Sequence, residues 1–146
     1  MSLRWPFAWL FASLLAAAQA SSAYAGDPFP FGSELMLDVA PIHGSKRMPM
    51  LEIEDDGSAS IDLWCMSLRG RATVTDATIA IVPGQPVSLI PGLPAAGEQT
   101  SSCDPDRQAS DAALIAALAQ VTTWRRAGDV VELLGAATLR YRLMTN

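Results

Sequence analysis

Two cysteines, one histidine and two groups of acids are the residues whose types and spacing could do chemistry. Cys65 interrupts SIDLWCMSLRG (Ser60 to Gly70), and Cys103 closes TSSC. Such a pair can be a disulfide, part of a metal site, or a source of a nucleophilic thiolate. There is no Cys-x-x-Cys motif, and two thiols with His43 fall short of the four donors of a structural zinc site. A Cys65 and His43 nucleophile pair has no third residue to orient the imidazole. Glu52, Glu54, Asp55 and Asp56 bring four acids into five positions. Paired carboxylates can serve acid/base hydrolysis or hold calcium, but alternation puts Glu52 and Glu54 on the wet side of a strand. Asp104, Asp106 and Asp111 lack the glycine and terminal glutamate of an EF-hand loop. Acids near a helix start are explained by capping and by the helix dipole. No metal and no cofactor is expected.

The compartment decides among the cysteine chemistries. Residues 1–25 carry one positive charge at Arg4, an apolar run from Trp5 to Ala18, and small residues ending in Ala23, Tyr24 and Ala25. That is the pattern of a secretory signal peptide with an Ala-x-Ala cleavage site before Gly26. The apolar run is shorter than the ~20 residues of a membrane span. The expected mature chain is therefore periplasmic or secreted, without a membrane anchor. An even cysteine count in an oxidising compartment favours a Cys65–Cys103 disulfide. Residues 26–146 hold all 15 acids and nine of the ten basic residues, a net charge of −6. A surface of that sign repels nucleic acid.

The elements that must position these residues follow from periodicity. Residues 26–33, with DPFPF, read as an extended lead-in to one domain spanning 34–146. Leu35, Leu37 and Val39 share one face of a strand. PIHGSKRMP, with His43, reads as a loop. Met50 to Glu54 and Ser58 to Leu63 flank an Asp56-Gly57 hairpin turn, and continued alternation would send Cys65 inward. Arg71 to Thr75 and Thr78 to Val82 form a second hairpin, with Val74, Ile79 and Ile81 toward the core. The Pro83 to Gly97 stretch reads as a long loop with a short edge strand at Val87 to Ile90. Asp104 as N-cap and Pro105 at the first helical position point to one helix, roughly from Pro105 or Ser110 to Ala119. Thr122 to Arg126, Val130 to Leu134 and Thr138 to Leu143 close the chain as a meander. A disulfide from Cys65 to Cys103 would then pin helix to sheet.

These residues resemble the META domain family, the HslJ-like group. The likeness rests on Cys65 at a strand end with Gly70 five residues on and a hairpin following, and on Thr100 and Cys103 before a helix. The tail LIAALAQVTTWRRAGDVVELLGAATLRYRL carries the rest of it. Trp64 and Met66 stand where the family has glycine and asparagine around the first cysteine. The resemblance implies an α+β fold: a single domain with a strongly curved, open-barrel-like antiparallel β-sheet and one packed α-helix. It also implies association with envelope stress or assembly and no established enzymatic activity.

The expected function is that of a non-enzymatic binding module for an envelope protein or an apolar small molecule. Trp64, Trp124, Val87 and Leu89 form the candidate binding surface. The alternatives are a hydrolase using the Glu52 to Asp56 acids, with His43, and a purely structural accessory subunit.

Overall fold

The computed structural model describes residues 26–87 and 103–145. The signal-peptide reading, Leu89, Thr100 and most of the proline-rich loop lie outside the described residues. Strands β1 (Leu35–Leu37), β2 (Met50–Ile53), β3 (Ser58–Asp62), β4 (Ser67–Val74) and β5 (Ile79–Val82) precede helix α1 (Pro105–Leu118). Strands β6 (Val121–Ala127), β7 (Val130–Gly135) and β8 (Thr138–Leu143) follow it.

All eight strands join one antiparallel sheet in the order β5-β4-β3-β2-β1-β8-β7-β6. Short β1 unites the two halves, pairing with β2 on one side and with β8 on the other, Leu35 opposite both Leu51 and Leu143. The outer strands β5 and β6 then approach each other through a bridge between Thr78 and Thr123. There the Trp124 N–H donates to the Ala77 carbonyl at 3.3 Å. The sheet is thus a nearly closed barrel with one seam. Eight strands enclose a space that side chains can fill, and here they do. Leu35, Leu51, Leu63, Val131 and Leu133 are wholly buried, and Ile53, Ala59, Ile61 and Tyr141 nearly so.

The two ends of the barrel are finished differently. At the end where β3 turns into β4, helix α1 packs down through Leu114 and Leu118. Its start matches the expected cap: the Asp104 side chain accepts from the Asp106 N–H, with Pro105 in the first turn. At the opposite end the lead-in crosses as a strap between turns. The Asp27 carboxylate accepts from Gly128 N–H in the β6–β7 turn at 2.9 Å. Gly32 N–H donates to the Ile53 carbonyl beside the β2–β3 turn at 2.9 Å. Between these anchors Phe29 and Pro30 are buried.

Three expectations need correcting. Strand β1 stops at Leu37 because Val39 N–H turns back to the Leu37 carbonyl, which leaves Val39 exposed rather than inward. Alternation in β3 also ends early. Leu63 N–H closes a turn onto the Met66 carbonyl, so Cys65 sits half-buried in that turn and not on a strand face. Strand β4 begins at Ser67, four residues before the expected Arg71, and β5 continues irregularly beside it: Arg69 N–H bonds the Gln85 carbonyl and Val87 N–H the Ser67 carbonyl.

This irregular pairing depends on Gly84, where an added Cβ would collide with the Arg69 carbonyl oxygen and lie 2.8 Å from its carbon. Backbone cannot yield as a side-chain tip does. Gly84→Ala is expected to cost about 1–3 kcal/mol, the usual range for overpacking. Gly26→Ala, whose added carbon meets its nearest neighbour at 3.7 Å, should leave the urea midpoint unchanged. Comparing the two denaturation curves checks the claim.

Candidate functional site

The sulfurs come together as expected. Cys65 and Cys103 form a disulfide, with their Cα atoms 5.9 Å apart. Beside it lies a group that sequence reading assigned to helix capping and that does something else. Asp111, on α1 eight residues after Cys103, is 1% exposed. Its Oδ1 accepts the Trp64 N–H at 2.9 Å and its Oδ2 accepts the Cys65 N–H at 3.0 Å. Burial pushes the Asp111 carboxyl above its usual value, against the pull of those two N–H groups and of the Arg47 and Arg107 charges. The signal was present: Asp111, Leu114 and Leu118 fall at i, i+3 and i+7, one stripe of the helix.

The acidic cluster is a solvated turn. Glu54, Asp55 and Asp56 are exposed, and Asp56 accepts the Ser58 N–H at 2.7 Å. Hydrogen bonding from Ser58 holds the Asp56 carboxyl below its usual range. His43 is exposed in the β1–β2 loop, and the length of β2 separates that loop from the β2–β3 turn. Among the described residues no three His, Cys, Asp or Glu side chains converge as a metal site would require.

The proposed binding surface divides. Trp64 is buried at the helix end of the barrel, and its indole Nε1 has no hydrogen-bond partner among the described residues. Val87 is half-buried against β4. Trp124 is also 8% exposed, but it stands in the wall of a groove of about 730 Å³ at the strap end of the seam. Pro28, Phe29 and Phe31 of the strap, Val74 and Ala77 of the β4–β5 hairpin, and Arg126 of β6 line it with Trp124. Trp124 is fixed in place, its Nε1–H donating to the Thr75 carbonyl at 2.8 Å. Phe29 meets it edge-on, ring centroids 5.1 Å apart, and Phe31 lies 4.9 Å from Phe29. Phe31 is 38% exposed, an aromatic surface left in solvent.

Arginines stand at the rim. Arg125 is paired with Glu132 on the outer face. Arg126 instead donates to two carbonyls, Gly128 at 2.8 Å and Pro28 at 2.9 Å. Among the described residues no carboxylate is within ion-pair distance of its charge at the groove. Asp27 and Asp76 also border the groove, Asp27 being engaged with Gly128. Sequence reading missed the strap and its aromatics because an extended proline-rich segment has no period to reveal which side is buried.

No protein-family model and no curated protein matches the sequence. Among solved structures the chain is similar to one described only as "NMR structure of the protein", at 12% sequence identity over 76% of this chain and 88% of that one. The TM-score is 0.43, a likeness that carries no argument about fold or function.

Proposed function

We propose that the protein is an exported, non-enzymatic binding module, similar to META domains, that holds one apolar chain with an anionic head at the strap end of the barrel. The observation that carries this reading is the groove itself. Its volume is in the range of small-molecule sites, and such sites join apolar walls to a few placed polar groups. Phe31, Val74 and Trp124 supply the wall, and Arg126 supplies a cation. An amphipathic carboxylate satisfies both. Among the described residues, Leu35, Leu51, Leu63, Val131 and Leu133 fill the barrel interior. The META likeness is supported by the order of elements around Cys65 and Cys103, and the export reading by the pattern of residues 1–25. The non-enzymatic reading is supported by the exposure of the Glu54 to Asp56 acids and by the lowered Asp56 carboxyl, which suits a resting anion rather than a proton donor.

Trp124 is a built-in reporter. In residues 26–146 carrying Trp64→Phe it is the only tryptophan. That substitution also removes an indole N–H that has no partner among the described residues, so its cost to the fold should be small. Titration with dodecanoate is expected to shift Trp124 emission saturably. Arg126→Ala should weaken the apparent affinity about tenfold, the value of one charge-assisted hydrogen bond. An emission spectrum unchanged up to the onset of micelles would overturn the reading.

A further inference from the structure

We infer that Asp111 is a positioning residue for the Cys65–Cys103 disulfide: its carboxylate fixes the backbone of Cys65 against helix α1, and so makes the disulfide harder to reduce. Cys65 lies in the turn that the Leu63 N–H closes onto the Met66 carbonyl, off any strand face. Its N–H and that of Trp64 both end on Asp111, at 3.0 and 2.9 Å. Asp111 and Cys103 belong to the same rigid piece of chain. Cys103 immediately precedes the Asp104 cap, and Asp111 lies in the second turn of α1. The Gln108 side chain donates to the Cys103 carbonyl at 2.7 Å, which ties that residue to the helix body. One helix thus grips the turn by a carboxylate and by a sulfur.

A dithiol held in this way has already lost the freedom that oxidation would otherwise have to remove, so the effective concentration of one thiol at the other rises. The exchange balances simply. Cys65 and Cys103 give up two protons and two electrons as their S–S bond forms, and one oxidised glutathione accepts them, its own S–S bond breaking to yield two reduced glutathiones.

The test equilibrates the protein with mixtures of reduced and oxidised glutathione, then counts free thiols by alkylation and mass measurement. Asp111→Asn keeps the shape but offers one acceptor to two N–H groups. It is expected to move the equilibrium at least tenfold toward the dithiol, about 30 mV for this two-electron couple. Asp106→Asn, an exposed acid on the same helix, should not move it. An Asp111→Asn equilibrium within twofold of the parent would overturn the inference, since carboxylate and disulfide would then be independent fasteners. A second measurement leaves Asp111 in place. In a Cys65→Ser, Cys103→Ser chain the backbone amides at positions 64 and 65 should remain protected from hydrogen exchange. Free exchange there would mean that the disulfide positions the carboxylate, and not the reverse.

Discussion

Replacing Asp111 by alanine is expected to lower the free energy of unfolding by about 3 kcal/mol, because each buried donor left without a partner costs roughly 1–3 kcal/mol. Two are orphaned at once, the N–H groups of Trp64 and Cys65. Relief of a buried negative charge offsets part of that loss. Asp106→Ala, on the exposed side of the first turn, should cost less than about 1 kcal/mol, the helix-dipole share. Urea denaturation of the two variants measures the contrast. If they lose the same amount, the Asp111 bonds are ordinary helix-start acidity and not a fastening.

The same carboxyl gives a pH signature of definite sign. Its pKa is raised in the folded protein above the unfolded 3.8, so the folded state holds the proton more tightly. The stability linked to that proton is fully present below pH 3.8 and is lost as pH rises through the folded pKa. The two N–H groups favour the ionised form but burial outweighs them, so the proton is bound more tightly on folding, whereas the amide of Asp111→Asn does not titrate. The stability gap between parent and Asp111→Asn should therefore widen as pH falls from neutrality toward 3.8. A gap that narrows would show that the charged form is the one the fold prefers. Asp56, with its lowered carboxyl, acts in the opposite direction, stabilising above the unfolded value and ceasing to do so in acid.

The second large effect is loss of the disulfide. Closing a loop of 38 residues removes freedom from the unfolded chain worth about 4 kcal/mol on the entropic account. Domains of this size have some 5–15 kcal/mol in all. Cys65→Ser with Cys103→Ser should accordingly move the urea midpoint far to lower concentration while the β-sheet circular dichroism signal in water persists. Because Asp111 touches the Cys65 backbone, the losses from the two sites should not add. Unchanged stability on removing both sulfurs would contradict the helix-to-barrel fastening.

Much of this architecture is legible in the order of residues. The hairpins at Asp56-Gly57 and at Asp76-Ala77, the helix from Pro105 and the closing meander all appear where period and turn chemistry place them, because each is dictated by near neighbours. Closure into a barrel is different. It depends on β1 pairing with β8 and on Thr78 meeting Thr123, contacts between distant segments that no local pattern encodes. The candidate site divides along the same line. Trp124 could be singled out as a tryptophan on a strand, and the structure puts it in a groove wall. Trp64 could be singled out equally well, and the structure buries it at the other end of the barrel. Two aromatics of one type separate only when the turn at Leu63 and the course of the strap are known. Asp111 was readable in principle, since it shares the stripe of Leu114 and Leu118. An acid near a helix start, however, has a simpler local explanation, and that explanation hides its long-range bonds.

Whether an apolar chain with an anionic head settles at the strap end is tested most directly by amide chemical shifts of isotope-labelled residues 26–146 titrated with dodecanoate. The account predicts saturable shifts confined to residues 26–31, 74–77 and 124–126. Shifts confined to the helix end, around residues 63–66 and 111–118, or none anywhere below the micellar threshold, would contradict it.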